Sequence, residues 1–208
     1  MIFDGSLRRA AAASCIALDE ASLTACAAHY RLLVTWNRTH NLTRIVGPEE
    51  AARLHYLDCL APLVGGEVPP AFVDVGSGAG FPGLLAALVW SSSEAFLIEP
   101  SKKRASFLVL ASAEMGLDPA RVTVLDAGAS VTAPRVLSRA TFSAGSRQTL
   151  TRYAAPGGEV AVWGHPHDVS TWGNEVATWG WNALSARTYR IDGLEDRCLL
   201  RASAAGQK

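Results

Sequence analysis

A chain of 208 residues, 49% of them hydrophobic, is long enough to close one sizeable core and carry a small appendage. Lysine plus arginine equal aspartate plus glutamate at 19 each, so bulk charge does not mark a free-standing nucleic-acid binder, and any RNA contact must come from local patches. Cys15, Cys26, Cys59 and Cys198 stand without Cys-x-x-Cys spacing, which argues against a zinc site and a secreted disulfide framework and predicts reduced thiols in the cytoplasm.

From the N-terminus, Arg8-Arg9 and the alanines after it have the outline of an export signal, but the apolar stretch is far too short. No run approaches the ~18 apolar residues of a membrane span. Residues 18–36 carry Leu23, Cys26, Tyr30, Leu33 and Val34 at helical spacing behind Asp19 and Glu20, which predicts an amphipathic helix. Trp36 to Thr43 breaks that pattern with residues suited to turns and caps. A second helix opens at Gly47-Pro48-Glu49-Glu50 and runs towards Pro62. On it His55 and Asp58 lie three apart and share a face, either to orient each other structurally or to reach a substrate. Gly65-Gly66-Glu67-Val68-Pro69-Pro70 is the one convincing break, dividing a helical cap over 1–66 from a second domain over 67–208.

Phe72-Val73-Asp74-Val75 then reads as a buried strand running into Gly76, Gly78 and Gly80, with Pro82 preset for the first turn of a helix whose inner face is Leu84, Leu85, Leu88 and Val89. Glycine allows the sharp turn and lets a ligand approach the backbone, and a helix start aimed at the loop favours a negative group. Taken alone, the glycine spacing fits a dinucleotide, S-adenosylmethionine or a bare strand-to-helix turn. Asp74 inside the strand favours S-adenosylmethionine, since dinucleotide folds usually place an apolar residue there. Ala95 to Glu99 is a second strand ending in a carboxylate, about the ~20-residue separation at which an acid meets ribose hydroxyls. Glu99 is the ribose ligand on this reading.

Strand and helix continue to alternate. Ser101 caps a helix ended by Gly116; Arg121–Leu125, Arg135–Ser138 and Glu159–Trp163 are strands, the last following a helix and the breaker Pro156-Gly157-Gly158. Trp172–Ala183 reads as helix, and Ala186–Ile191 with Arg197–Ser203 as a closing hairpin. His165-Pro166-His167 is half a metal site with no ligand motif to complete it, so no metal is expected. The fold class is α/β: a Rossmann-like methyltransferase fold, mostly parallel with an antiparallel terminal strand, under an N-terminal helical cap.

Five ordered blocks carry a resemblance. Trp36-Asn37 with Asn41-Leu42-Thr43, His55-Tyr56-Leu57-Asp58-Cys59, the run Asp74 to Gly83, Lys102-Lys103-Arg104 with Phe107-Leu108, and Ser138-Arg139-Ala140 resemble, in order, the motifs of the glucose-inhibited division protein B (GidB) family. Its members are bacterial methyltransferases that modify guanine N7 in small-subunit ribosomal RNA. The resemblance implies S-adenosylmethionine as cofactor, held by Gly76, Gly78, Gly80, Phe81, Glu99, Ala129, Ser130 and Arg139. It implies substrate or RNA contacts from Asn41, His55, Asp58, Lys102, Lys103 and Arg104, and 16S ribosomal RNA as partner, bare or within the small subunit or an assembly intermediate. Three positions depart from the family pattern: Gly128-Ala129-Ser130 stands where Arg-x-Glu is usual, Trp163 replaces a lysine, and the terminal lysine of the last strand is missing.

The implied chemistry needs no general base, because guanine N7 already presents an unprotonated lone pair; catalysis reduces to aligning nucleophile, methyl and leaving sulfur. No catalytic base is therefore assigned. Arg139, at the carboxyl edge of the sheet, would hold the cofactor carboxylate, a phosphate or guanine O6. Lys102, Lys103 and Arg104, with Arg38 and Arg44, are either phosphate contacts or a solvated helix face. Two rival functions use the same fold: a catalytically silent RNA-binding or ribosome-assembly module, and a nicotinamide-dependent oxidoreductase.

Overall fold

Seven strands form one sheet in the order β3-β2-β1-β4-β5-β7-β6 in a computed structural model that describes residues 2–139 and 146–204. Ala140 of the Ser-Arg-Ala block lies outside the described residues. Three helical stretches precede the sheet: α1 (Ile2–Ala13), α2 (Glu20–His40) and a run made of α3 (Pro48–Ala51), a π-helical turn (Ala52–Leu57) and α4 (Asp58–Leu60). There follow β1 (Ala71–Val75), α5 (Gly83–Val89), β2 (Glu94–Ile98), α6 (Lys102–Glu114), β3 (Val122–Leu125) and β4 (Ala133–Ser138). A 3-10 turn (Arg147–Tyr153), β5 (Ala154–Gly164), α7 (Val169–Thr178), β6 (Trp181–Tyr189) and β7 (Arg197–Ala204) complete the chain.

β1 to β5 are parallel, and β7 runs antiparallel between β5 and β6, as expected for the terminal hairpin. Because β1 is flanked by β2 on one side and β4 on the other, the crossovers leave it in opposite directions. A crevice must then open beyond its carboxyl end, and that is where the glycine loop sits. One apolar layer covers the first face without interruption, from Phe3 and Leu7 of α1 through Tyr56 and Leu84 to Leu199 of β7. A second layer, with Trp172 and Val176 of α7, Leu150 and Tyr153, covers the other.

Several boundaries differ from the sequence reading. α1 had no assigned structure, since its alanine-rich stretch shows too few large apolar residues for a clear stripe. α2 runs on through Trp36 to His40 and stops at Asn41, which takes a left-handed φ of 47°. Pro82 precedes α5 instead of entering it. Ser101 makes no side-chain cap bond. The breaker Pro156-Gly157-Gly158 lies inside β5, where the pairing jumps from Ala133–Ala154 to Arg135–Glu159 and absorbs the extra residues as a bulge. Trp181 to Ala183 belong to β6, because Gly180 (φ 70°) turns the chain out of α7 and the segment finds β7 to pair with.

Gly83 sets how closely α5 can approach β1. Its N–H donates to Asp74 Oδ2 at 3.0 Å, and a β-carbon there would run into the Asp74 carboxylate and Leu97. Gly83→Ala should therefore destabilise the fold by about 1–3 kcal/mol through overpacking. Urea unfolding measures this as a lower midpoint at unchanged slope.

Candidate functional site

The loop after β1 is held from below by backbone bonds: the N–H groups of Gly76 and Ser77 donate to Ile98 O at 2.9 and 3.1 Å, and Gly80 N–H to Ser77 O at 2.7 Å. Gly76, Gly78 and Gly80 all have positive φ (79°, 56° and 89°), which only glycine adopts without strain. Glu99, at the end of β2, is buried; its Oε2 accepts from Gly78 N–H and its Oε1 from Ser101 N–H, each at 2.9 Å. The negative charge expected at the start of α5 comes from the chain itself. Asp74 Oδ2 takes the Gly83 N–H, so this helix end is closed to a ligand. Burial pushes the Asp74 carboxyl up to about 7, against the downward pull of Ser77 and Gly83.

Above the loop lies a cavity of about 360 Å³. Leu42 and Thr43 after α2, His55 of the π turn, Gly76 to Ala79, Phe81, Glu99, Pro100, Arg104 and Arg139 line it. Of the residues singled out in the sequence, Gly76, Gly78, Phe81, Glu99, His55, Arg104 and Arg139 thus meet around one space. Gly80 sits behind the loop, where a β-carbon would collide with Leu84. Asn41 spends its position on the helix stop, leaving the wall to Leu42 and Thr43. Lys102 and Lys103 are exposed on α6 outside the cavity. Ala129 and Ser130 do not line it either: Ala129 packs against the second apolar layer and its N–H turns back to Asp126 O.

Of the two readings of His55 and Asp58, mutual orientation is replaced by two separate partnerships. Widening the helix into a π turn changes the angle between successive side chains, so residues three apart no longer share a face. His55 Nε2 lies 2.8 Å from Thr43 Oγ1, and its ring stacks on Phe81 with centroids 4.7 Å apart and planes at 18°. Burial, helped by the Arg139 charge, pulls its pKa down to about 4, so the ring is neutral at pH 7.

Asp58 instead binds Arg139: Nε donates to Oδ2 at 3.0 Å and Nη2 lies 2.9 Å from the same oxygen, while Nη2 also donates to Leu54 O at 2.5 Å. Tyr189 Oη donates to Asp58 Oδ1 at 2.9 Å, and Trp163 Nε1 to Asp58 O at 2.8 Å. Arg139 therefore reaches the cavity wall already braced by α4, β5 and β6.

Sequence reasoning missed His29 of α2, fully buried beneath the loop, with Nδ1 2.6 Å from Tyr56 Oη and Nε2 2.9 Å from Ala79 O. A polar residue in an otherwise apolar stripe was the available signal. His165 pairs with Arg197 Nη1 at 2.7 Å, and the described residues contain no group of three or more His, Cys, Asp or Glu placed to hold a metal. No described helix is long and apolar enough to cross a membrane.

Two outcomes follow from these charges. Asp58→Ala leaves the half-buried Arg139 guanidinium without its carboxylate and should cost about 1–3 kcal/mol in unfolding free energy. Asp74 carries a folded pKa above its unfolded value, so its stabilising contribution is full below pH ~4 and is lost as pH rises towards 7. Isosteric Asp74→Asn should flatten the fall in stability between pH 4 and 8, read by chemical denaturation across that range; an unchanged profile would exclude the shift.

Comparison with known proteins places this geometry. The family described as rRNA small subunit methyltransferase G matches residues 23–161. The ribosomal RNA small subunit methyltransferase G of Wolinella succinogenes is 37% identical over 68% of this chain and 72% of its own length. Those of Nitrosomonas europaea and Dichelobacter nodosus are 45% and 36% identical over 43% and 58% of this chain. The matches span 41% and 57% of those two relatives, so the chain covers about half their length. Among solved structures, magnesium protoporphyrin IX methyltransferase from Synechocystis superposes with a TM-score of 0.62 at 12% identity, over 91% of this chain and 99% of that one. An O-methyltransferase of neocarzinostatin biosynthesis gives 0.61 at 15%, over 73% and 54%. These distant likenesses show a shared Rossmann-like methyltransferase fold. The matched region takes in every block from α2 to β5 that builds the cavity, and the chain belongs to the GidB family, that of rRNA small subunit methyltransferase G.

Proposed function

We propose that this chain transfers the methyl group of S-adenosylmethionine to N7 of a guanine in 16S ribosomal RNA. The observation that carries the proposal is Glu99, a buried carboxylate fixed by two backbone N–H groups at the wall of a glycine-floored cavity. Each of its oxygens keeps acceptor capacity for a ribose hydroxyl. The cavity is within the ~300–1,000 Å³ range of small-molecule sites, and a loop of glycines lets the ligand lie against backbone.

When bound, S-adenosylmethionine supplies an electrophilic sulfonium methyl group. The chain's residues then have only to orient. The stacked His55–Phe81 pair offers a flat surface beside the glycine loop on which a base could be ordered. Neutral His55 adds no charge that would repel an electron-poor methylated purine. Arg104 brings positive charge to the wall, suited to a phosphate or a carboxylate, while the Arg139 guanidinium there is ion-paired with Asp58. Guanine N7 loses no proton on attack, so the lack of a paired acid and base among these residues fits the reaction.

Two of the departures from the family pattern, at Gly128 to Ser130 and at Trp163, fall outside this space. Gly128, Ala129 and Ser130 do not line it, and Trp163 is buried against the Asp58 carbonyl, where it braces Arg139 from behind. This favours an enzyme over a silent module. With zero formal net charge, the chain suits a preformed ribosomal surface better than free RNA, and it would act in the cytoplasm where subunits assemble.

Small subunits from cells lacking the gene should gain a single N7-methylguanine when incubated with the purified protein and S-adenosylmethionine, read by mass mapping and primer extension. An unchanged pattern, in vitro and between cells with and without the gene, would favour the silent module. Glu99→Ala should weaken cofactor binding at least ~10-fold by calorimetry, the scale of a lost charged hydrogen-bond pair. Tight NAD binding in place of S-adenosylmethionine would favour the oxidoreductase.

A further inference from the structure

We infer that His29, in its Nε2–H tautomer, is a positioning residue for the glycine loop: bridging Tyr56 and the Ala79 carbonyl, it fixes the orientation of the Ala79–Gly80 peptide beside the cavity. The inference rests on the cofactor reading of that cavity.

His29 has no exposed surface and stands edge-on to three rings, Tyr56, Phe81 and Phe107, with centroids 5.6, 5.2 and 5.7 Å away. A carbonyl oxygen only accepts, so the 2.9 Å contact with Ala79 O requires a proton on Nε2. Burial holds the His29 pKa down to about 4, leaving Nδ1 with a lone pair near pH 7; the Tyr56 hydroxyl must then donate to it across 2.6 Å. Every polar atom of the ring is thereby committed, and one tautomer is selected.

The other end of the same peptide is pinned as well, since Gly80 N–H donates to Ser77 O at 2.7 Å. Rotating the peptide would take the Ala79 oxygen away from the His29 N–H and leave that fully buried donor without a partner. Ala79 lines the cavity, and its neighbour Gly78 holds Glu99, so this peptide decides which backbone dipoles a ligand meets. The bond also joins α2 to the loop across a separation of 50 residues, which makes the loop's shape depend on the helical layer.

Three variants and one probe test the clamp. His29→Phe keeps ring volume and loses both bonds; His29→Gln retains an amide donor able to reach Ala79 O; Tyr56→Phe removes only the donor to Nδ1. In the ligand-free wild type, 15N NMR should show a protonated Nε2 and an unprotonated Nδ1; the reverse tautomer overturns the inference. S-adenosylhomocysteine, titrated by calorimetry, should bind His29→Phe about tenfold more weakly, the loss expected for one net hydrogen bond. His29→Gln should bind within about threefold of wild type, and Tyr56→Phe should fall between, keeping the Nε2–H tautomer that the Ala79 carbonyl requires. The Gly80 amide should exchange faster in His29→Phe. A His29→Phe protein that melts lower yet binds the probe as wild type, with Gly80 exchange unchanged, reduces His29 to packing and overturns the inference. If His29→Phe does not fold, Tyr56→Phe carries the test, and wild-type affinity with unchanged Gly80 exchange there overturns it. Should the wild type itself fail to bind S-adenosylhomocysteine, the cofactor reading fails, while the tautomer and Gly80 exchange still decide for or against the clamp.

Discussion

The ion pair between Asp58 and Arg139 is the interaction on which the site's geometry depends. Asp58 is buried and Arg139 half-buried, and such a pair persists only if its remaining polar atoms are satisfied. That demand draws in Tyr189 from β6, Trp163 from β5 and the Leu54 carbonyl from the helical run before the sheet. Three segments distant in sequence thus converge on Asp58: Arg139 and Tyr189 on its carboxylate and Trp163 on its backbone carbonyl. The wall of the cavity formed by Arg139 inherits their rigidity, which is what a reaction governed by alignment requires.

The same carboxylate explains the separation of His55 from Asp58. An unbroken α-helix would have turned both towards the same neighbours. The π turn at Ala52–Leu57 lets His55 face Thr43 and Phe81 while Asp58 faces the sheet. Of the groups around the cavity, the histidine is kept neutral, Arg139 is ion-paired with Asp58, and Arg104 supplies positive charge. Two further carboxylates, Asp74 and Glu99, bind backbone N–H groups of the loop and of the segment beside it. The loop is therefore shaped by charged side chains on one side and by His29 and the helical layer on the other.

Trp163 shows how a departure from a family pattern can be absorbed. Its indole N–H donates to the Asp58 carbonyl, and its ring is buried. The cavity lining still carries its glycines, its acid and its arginines.

Most of the architecture was legible in the residues, because period-2 and period-3.6 apolar patterns, positive-φ glycines and an acid at the end of β2 are local signals that survive in one dimension. The alternation of strands and helices, the antiparallel hairpin, the glycine loop and Glu99 all rest on such signals. Tertiary structure alone decided the rest. The bulge that keeps Pro156-Gly157-Gly158 inside β5 exists because β4 lies beside it. Trp181 to Ala183 extend only because β7 is there to pair with them. The partners of Asp58, the closure of the α5 terminus by Asp74 and the burial of His29 under Ala79 join residues many positions apart. Nothing in local spacing encodes them, since they are set by which polar atoms must be satisfied once the apolar layers have excluded water.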